Sequence, residues 1–318
     1  MPSAPPLPTP TNVSAATIAL GAYISGAPWD ATKIDQFASM VGATPAIVMW
    51  YQDWLHPGVR EFDPVKMNAV SDRGAVPMVT WDPWDDARGA TQPAFALGTI
   101  LGGTYDAFLR DWARNAATWN RPFYLRFAPE MNGDWFSWGV KANGNTSAQY
   151  VATWRHVVDI FRQEQAANVR WVWCPNADLN WVPFGDLYPG DAYVDWVALD
   201  GYNWGASQPN DPNKHWTAFA DVFGPSYAAI LGLTNKPLMI AETASTELGG
   251  DKAQWIAQSL LTELPVRFPR VRAVIWFDEN KETDWRVNSS SPSLAAYRTV
   301  AASPVYRGDP PLPLPTRR

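Results

Sequence analysis

The sequence predicts an α/β fold built as a single (β/α)8 barrel. Eight short β-prone segments follow one another along the chain, and amphipathic helical segments separate most of them. Several of the β-prone segments are continuous apolar runs, which is typical of parallel strands that are covered on both faces. A chain of 318 residues fits one barrel of this kind. A doubly wound open sheet is the alternative, but no glycine-rich phosphate loop supports it.

The predicted elements alternate along the chain. The predicted strands span residues 17–24, 46–51, 76–81, 123–127, 169–173, 194–199, 237–241 and 271–277. The predicted helices span residues 31–41, 63–73, 105–118, 147–165, 215–231 and 252–264, and a last helix at 293–302 follows the eighth strand. The connection at 176–191 is rich in proline and aromatic residues, so we expect its helix to be short or absent.

Both ends of the chain have a different composition from its centre. Residues 1–14 and 306–318 are rich in proline, and we interpret them as linker remnants. Residues 15–305 form one barrel domain in this interpretation, because no change of composition divides them. Residues 1–14 lack the basic start and apolar centre of a signal peptide. We therefore expect one module of a longer, secreted protein.

Composition and missing motifs exclude several classes of function. The net charge of −6 argues against nucleic acid or an anionic membrane as a partner, and no apolar run is long enough to span a bilayer. The single Cys174 cannot form an intrachain disulfide, and His56, His156 and His215 show no metal-ligand spacing. The chain has no G-x-S-x-G, Walker or G-x-G-x-x-G motif. We expect a monomer that acts on a neutral or weakly charged substrate without a metal or other cofactor.

The chain contains 19 tryptophans, an unusually large number. Some of them are expected to pack in the core, because indole rings bury a large apolar area. The commonest use of the others is carbohydrate binding, since the C–H faces of sugars stack on indole rings as other apolar groups do.

One run, residues 124–139, has the composition of a catalytic strand end. An apolar β-prone segment breaks at Pro129, and Glu130, Asn132, Trp135 and Trp138 follow. An acid beside flat aromatic faces is suited to protonating a bond in a stacked sugar. The alternative interpretation is a strand that ends in a solvated glutamate next to core tryptophans.

The active site of such a barrel lies at the C-terminal ends of its strands. Tryptophans and polar side chains gather there after nearly every predicted strand, at Trp54, Trp81, Asp82, Glu130, Trp135, Trp138, Trp173, Asn176, Asp200, Tyr202, Trp204, Glu242, Trp276 and Asp278. Core packing alone does not sort polar groups with aromatic groups in this way.

Glu130 and Glu242 are the predicted catalytic pair. Each follows the end of an apolar strand, and the fourth and seventh strands face each other across an eight-stranded barrel. Two carboxyl groups about 5–5.5 Å apart suit a retaining glycosidase, provided that one is ionised and the other protonated. Arg126 lies in the same strand phase as Glu130, and we expect it to keep the nucleophile ionised while Tyr202 donates a hydrogen bond. Either glutamate alone is more often a surface or salt-bridged acid.

Other polar residues are weaker candidates. Four aspartates could bind sugar hydroxyls and are as often loop or helix caps: Asp53, Asp82, Asp200 and Asp278. Asp134 follows a turn and is expected to be solvated, and His156 lies in a helical pattern and is expected to be structural. Glu247 is a fallback acid after Glu242.

Two motifs resemble glycoside hydrolase family 26. Residues 126–135, Arg-Phe-Ala-Pro-Glu-Met-Asn-Gly-Asp-Trp, resemble the acid/base motif of the family, and residues 236–242, Lys-Pro-Leu-Met-Ile-Ala-Glu, resemble its nucleophile strand. The resemblance extends from about residue 20 to residue 302. Residues 200–205 and 279–289 are more similar to the mixed-linkage β-glucanase, or lichenase, branch than to the β-mannanases. The family also contains β-1,3-xylanases.

The resemblance implies a retaining endo-β-glycanase on a (β/α)8 barrel. It implies that Glu130 is the general acid/base and that Glu242 is the nucleophile. Trp276 would form the floor beneath the cleaved sugar, and Trp135 would be a platform on the leaving-group side. The chain departs from the family at Pro129, because many members have histidine immediately before the acid/base glutamate, and this departure leaves the substrate open.

We therefore expect a secreted retaining endo-β-glycanase that binds a polysaccharide and needs no cofactor. Mixed-linkage β-1,3-1,4-glucan is the first expected substrate, followed by β-1,4-mannan and then β-1,3-xylan. Transglycosylation would share the same intermediate. A non-catalytic carbohydrate-binding barrel is the alternative from another class. The expected substrate contacts are Arg126, Trp135, Trp138, Tyr202, Trp204, Trp276, Trp54, Trp81, Asn132 and Asp278.

Overall fold

The computed structural model describes residues 17–178 and 182–307. Within them, eight parallel strands close into a barrel in sequence order, so the predicted (β/α)8 fold is confirmed. The strands are β1 Ala19–Ile24, β2 Ile47–Asp53, β3 Val76–Asp82, β4 Phe123–Phe127, β5 Val169–Trp173, β6 Trp196–Asp200, β7 Leu238–Thr243 and β8 Val271–Asp278. β8 pairs with β1 over six residue pairs, which closes the ring.

Helices follow most strands. They are α1 Thr32–Val41, α2 Pro64–Ser71, α3 Leu97–Leu101, α4 Asp106–Trp119, α5 Ser147–Gln163, α6 Phe219–Leu233, α7 Lys252–Ala257, α8 Leu264–Arg267 and α9 Ser291–Ala302. Local sequence explains several starts: Asp63 caps α2, and Thr146 with Gln149 forms a capping box on α5. In the described part of the β5–β6 connection, the only helical element is the 3₁₀ turn Phe184–Asp186, as predicted.

The predicted helix at 252–264 is interrupted. A π-helical turn, Gln258–Glu263, separates α7 from α8. Pro265 lies at the start of α8 and has no N–H to give to the preceding turn, so the regular hydrogen-bond ladder cannot continue through it.

Alternate residues of each strand face opposite layers. The barrel interior is filled by a compact set of side chains: Ala19, Ile47, Met49, Met78, Tyr124, Val172, Cys174, Trp196, Ala198, Met239, Ala241, Ala273 and Ile275. The neighbouring strand residues face outward and pack under the helices, where most of the buried tryptophans lie. The phase of a residue within its strand therefore decides whether it can reach the mouth of the barrel.

β7 breaks this alternation close to its end. The pairing of β7 with β8 shifts register between Ile240 and Thr243, and the pairing of β6 with β7 shifts between Leu199 and Asp200. Such irregularities re-aim side chains next to functional sites. Here Glu242 follows the inward-facing Ala241 and nevertheless reaches groups in the barrel mouth.

The last described residues pack against the barrel. Tyr306 is buried at the end of the 3₁₀ turn Pro304–Tyr306, and Arg307 forms an isolated β-bridge with Ala19 of β1. Residues 1–14, and 308–318 of the predicted tail, lie outside the described residues. Within the two described ranges, no helix combines the length and the apolar character needed to cross a membrane.

Candidate active site

The backbone after β4 places Glu130 at the mouth of the barrel. Ala128 and Glu130 both have left-handed backbone angles, with φ of 44° and 52°, an unfavourable conformation for residues with a side chain. Contacts with neighbouring strands hold it: the Glu130 N–H donates to the Cys174 carbonyl at 2.7 Å, and the Ala128 N–H donates to Trp81 at 3.2 Å. Pro129 is buried, and its carbonyl accepts a hydrogen bond from Trp138 Nε1 at 2.5 Å.

Two donors orient the Glu130 carboxyl group. Asn176 Nδ2 donates to Oε1 and Trp135 Nε1 donates to Oε2, each at 2.7 Å. Burial, and secondly the charge of Glu242, raise the pKa of Glu130 to about 7, although both donors and Arg126 oppose the rise. Glu130 is therefore suited to carry a proton near neutral pH.

Glu242 lies in a different environment. Tyr51 Oη donates to its Oε1 at 2.5 Å, Tyr202 Oη donates to Oε2 at 2.6 Å, and Arg126 Nη2 also donates to Oε1. Burial and the charge of Glu242 raise the pKa values of both tyrosines well above their usual range, so both remain hydrogen-bond donors. Three donors, one of them cationic, stabilise a carboxylate here.

Arg126 connects the site across the barrel. Its guanidinium is fully buried, and it donates from Nε to Thr80 at 2.9 Å and from Nη1 to Asp200 at 2.6 Å. Burial raises the pKa of Asp200 well above its usual range, against the opposing effect of Arg126. One guanidinium cannot balance two carboxylates. Because Glu242 has three donors, it is the better stabilised anion of the two.

An aromatic wall continues from Tyr51 and Tyr202 around the mouth. Tyr23 stacks on Phe277 with ring centroids 4.7 Å apart, and the Tyr202 ring lies 5.0 Å from Trp285. Trp204 packs edge-on against Trp285, also at 5.0 Å, and Lys214 Nζ lies 4.0 Å from the centre of the Trp204 ring. The two glutamates therefore lie next to a cluster of flat apolar faces.

The structure brings together four of the ten predicted substrate contacts. Arg126, Trp135, Tyr202 and Trp204 lie beside the glutamates or beside groups that contact them. Three predicted tryptophans do not. Trp54 and Trp81 are buried under α4, in contact with Phe108 and Phe127.

Trp276 is the third tryptophan whose prediction is wrong. It is 1% exposed and packs outward against Trp255 and Tyr297, so it cannot form the floor of a sugar site. The physical reason is that successive side chains of a strand point to opposite faces. Phe277 and Asp82 point into the barrel, so the residues before them, Trp276 and Trp81, point outward towards the helices.

Three further predicted contacts have structural roles instead. Trp138 is fully buried and stacks on Phe136, with ring centroids 4.5 Å apart. Asn132 is fully buried, and its side-chain amide forms hydrogen bonds with the backbone of residues 176 and 178. Asp278 accepts a hydrogen bond from the Val287 N–H at 2.7 Å and anchors the loop after β8. These side chains hold the loops of the site and do not line it.

Sequence reasoning missed two residues of the site and undervalued a third. Tyr51 was not singled out, and Asn176 was placed at a strand end without a role, although both bond the glutamates. Asp82 was only one of the weaker candidates for binding sugar hydroxyls. Asp82 is 4% exposed, and its Oδ1 has no hydrogen-bond partner in the described part of the chain. Burial raises the pKa of Asp82 well above its usual range. The alternation Ile47, Met49, Tyr51 was the signal for Tyr51.

The remaining candidates lie elsewhere. His156 bonds Asp106 at 2.7 Å between α4 and α5, and Glu247 accepts from Ser289 and Ser293, so both are structural. Asp53 accepts from the ring of His56, and Asp134 is exposed. His56, Asp85 and Asp86 place possible metal ligands within 4.8 Å of one another on the surface, where acidic groups are common without a metal.

A buried carboxyl group with a raised pKa, a second carboxyl group with three donors and a neighbouring wall of aromatic rings are the features that a glycoside hydrolase of the two-glutamate type requires. A family model described as glycosyl hydrolase family 26 matches residues 96–257. The chain belongs to this family.

Two curated relatives and one solved structure illustrate the membership. Endoglucanase H of Acetivibrio thermocellus is 38% identical over 285 residues, which cover 88% of this chain and 30% of that protein. β-1,3-Xylanase TXYA of a Vibrio species is 27% identical over 224 residues, covering 68% of this chain and 43% of that protein. The chain therefore spans less than half the length of either relative.

The solved structure has the same fold. The catalytic domain of an endo-β-1,4-mannanase of this family from Bacillus sp. JAMB-750 superimposes with a TM-score of 0.68 at 20% identity. The match covers 91% of this chain and 86% of that domain. At this identity, the likeness concerns the barrel.

Proposed function

We propose that the protein is a retaining endo-β-glycanase in which Glu130 is the general acid/base and Glu242 is the nucleophile. Glu130 donates its proton to the glycosidic oxygen while Glu242 attacks the anomeric carbon, so that the leaving group departs and a glycosyl ester forms on Glu242. Water then attacks the anomeric carbon, Glu130 takes its proton, and the Glu242 carboxylate leaves. The two displacements retain the configuration at the anomeric carbon.

The difference between the two carboxyl environments supports this assignment. Glu130 has a pKa of about 7 and accepts hydrogen bonds from two uncharged donors. Glu242 accepts hydrogen bonds from Arg126, Tyr51 and Tyr202. An acid must hold its proton until the bond breaks, and a nucleophile must be ionised beforehand. In the reverse assignment, the arginine would face the acid and oppose its protonation.

Substitution of each glutamate tests the roles separately. Glu130→Ala should slow hydrolysis strongly on natural glycans but much less on an aryl glycoside whose leaving group needs no proton, and added azide should restore part of the turnover. Glu242→Ala should be inactive on both substrates without azide. Because azide can also replace a missing nucleophile, the configuration of the product separates the roles: the glycosyl azide should have retained configuration with Glu130→Ala and inverted configuration with Glu242→Ala. The roles are reversed if these two outcomes are exchanged.

We propose β-1,3-1,4-glucan as the substrate. The support is the similarity of residues 200–205 and 279–289 to the lichenase branch and the endoglucanase name of one relative. β-1,4-Mannan is supported equally well, because another relative, 26% identical over 168 residues, is a mannan endo-1,4-β-mannosidase of Bacillus subtilis. A reducing-sugar assay over glucan, mannan and xylan, with the products sized, tests the sugar, the linkage and endo action together.

The competing function is carbohydrate binding without catalysis. It predicts equal glycan affinity and no hydrolysis for wild type, Glu130→Ala and Glu242→Ala, so one turnover assay with wild-type protein excludes it. Because a polysaccharide does not cross a membrane, we also propose that the protein works outside the cell, which fractionation of the native source tests.

A further inference from the structure

A second cleft opens between the N-terminal ends of α6 and α7. A cavity of about 170 Å³ lies there, lined in part by Trp216, Asp251, Gln254, Gln258 and Ser259. The lining thus combines an indole ring with carboxyl, amide and hydroxyl groups. None of these residues belongs to the machinery around Glu130 and Glu242.

Trp216 offers a fixed aromatic surface in this cavity. A Cβ added to Gly250 would lie 2.4 Å from the indole ring, so the backbone at this glycine is packed directly against the tryptophan. The next residue is held as well, because Trp255 Nε1 donates to the Thr217 carbonyl at 2.9 Å. Trp216 itself remains partly exposed. Such a ring can accept the C–H face of a sugar without losing much side-chain freedom.

Ser259 adds a hydroxyl group to the lining. The residue is 2% exposed and lines the cavity. A hydroxyl group at a cavity wall can both donate a hydrogen bond to a sugar hydroxyl and accept one from it. Ser259 also lies in the π-helical turn Gln258–Glu263, a rare feature that is frequent at functional sites.

The other polar groups suit a neutral ligand. Gln258 Nε2 donates to Glu263 Oε1 at 2.9 Å, which leaves the amide oxygen of Gln258 for another partner. Asp251 uses one carboxylate oxygen to cap α7, and Gln254 is exposed. Two acidic side chains at the cavity disfavour an anion, whereas hydroxyl groups of a sugar can both donate and accept here.

The cavity is connected to the active-site face by a single loop. This loop runs from Tyr202, which bonds Glu242, to Trp216. Asn203 ties its two ends together, because its side chain accepts from the Thr217 N–H at 2.8 Å and donates to Ser245 Oγ at 2.9 Å. The cavity therefore lies on the flank of the barrel end that carries the glutamates.

We propose that this cavity is a second carbohydrate site, which binds one pyranose unit of a neutral glycan chain outside the cleft. The identity of that glycan rests on the proposed function. The site holds the polymer against the enzyme, and it leaves the chemistry at Glu130 and Glu242 unchanged.

The test measures polymer binding and turnover separately. In a Glu130→Gln/Glu242→Gln background, native electrophoresis through gels containing mixed-linkage β-glucan or glucomannan gives a dissociation constant for each polymer. Trp216→Ala should bind about tenfold more weakly, which corresponds to the loss of one stacking contact. Trp29→Ala is the matched control, because Trp29 is 51% exposed on the loop after β1. In the active background, Trp216→Ala should retain wild-type turnover of a short aryl glycoside.

Ser259→Ala and Gln254→Ala provide milder variants, and thermal unfolding checks that each variant is folded. The proposal is overturned if folded Trp216→Ala, Ser259→Ala and Gln254→Ala all bind both polymers as tightly as Trp29→Ala. Trp216-dependent binding without any hydrolysis by the wild type would instead contradict the proposed function alone.

Discussion

Single residues at the barrel mouth have chemical properties set by their partners rather than by their type. Glu130 and Glu242 are the same amino acid, yet one has two neutral donors and the other has an arginine and two tyrosines. Burial raises the pKa of Glu130 to about 7. Two consequences at this scale can be measured, one with pH and one with substitution.

The pH profile should report Glu130. Its pKa is raised, so the group holds the catalytic proton below pH 7 and loses it as the pH rises through about 7. We therefore expect kcat/KM to fall tenfold per pH unit on the alkaline side of about pH 7. A profile of kcat/KM from pH 4 to pH 10 checks this. A profile that stays flat to pH 9 would contradict the assignment of the acid.

Tyr51 should matter as much as Tyr202. Tyr51→Phe removes one of three donors to Glu242, and we expect kcat to fall by about 10²-fold, the usual loss for one preorganised donor. Tyr202→Phe should show a similar loss. Tyr193→Phe serves as the control, because its hydroxyl contacts Asp159 away from the site. Equal kcat values for Tyr51→Phe and Tyr193→Phe would show that Tyr51 has no role in turnover.

At the scale of elements, the loop after β8 is held in place by one buried lysine. Lys252 is fully buried at the start of α7, and its Nζ donates to the carbonyls of Asp284 and Arg286 and to Ser289 Oγ. The same loop carries Trp285, which packs against Tyr202. Helix α7 thus holds Trp285 of the aromatic wall in place indirectly, through the loop that Lys252 binds.

Removal of this lysine should loosen the loop. Lys252→Met leaves two partly buried carbonyls without their donor, which costs about 1–3 kcal/mol for each. We expect a lower Tm and a higher KM, with kcat less affected because Glu130 and Glu242 keep their donors. Lys33→Met, at an exposed lysine, is the control. An unchanged KM with a lowered Tm would restrict Lys252 to a role in stability.

The elements themselves could be predicted because periodicity is a local property. Phe123–Phe127 and Val169–Trp173 match the predicted strands residue by residue. The orientation of side chains was predicted less well. Trp276 and Trp81 were placed at the site because tryptophan suits sugars, whereas strand phase turns them outward and turns Phe277 and Tyr51 inward.

Other features of the site depend on long-range pairing, which one sequence does not reveal. The register shift that turns Glu242 into the mouth depends on how β7 pairs with β6 and β8. Asn176 reaches Glu130 because β5 lies next to β4 in the closed ring. The glutamates were predictable from their positions after apolar strands, but their partners required the fold.

At the scale of the whole molecule, Arg126 is the point where the barrel and the site depend on each other. Its buried guanidinium contacts Thr80 of β3, Asp200 of β6 and Glu242 of β7, and Cys174 after β5. Replacing one partner of a buried charge network leaves the other charges buried without a counter-charge.

Arg126→Met should therefore destabilise the fold as well as abolish activity. We expect a loss of about 3–5 kcal/mol in the free energy of unfolding, measured by urea denaturation, because two buried carboxyl groups lose their cation. Arg267→Met, at an exposed arginine, should change the free energy of unfolding by less than about 0.5 kcal/mol. A loss for Arg126→Met as small as that of this control would show that Asp200 and Glu242 do not need the guanidinium for folding.

The contacts of Arg126 with distant strands also affect whether fragments of the chain can fold separately. Its acidic partners, Asp200 and Glu242, come from strands that are made after β4. A fragment that ends after residue 145 would contain the arginine and neither acid, and it would have to bury an uncompensated cation or keep it in water. We expect the two halves of this barrel to be poorly folded when separate and to associate when mixed, with ion pairing across the joint as part of the driving force.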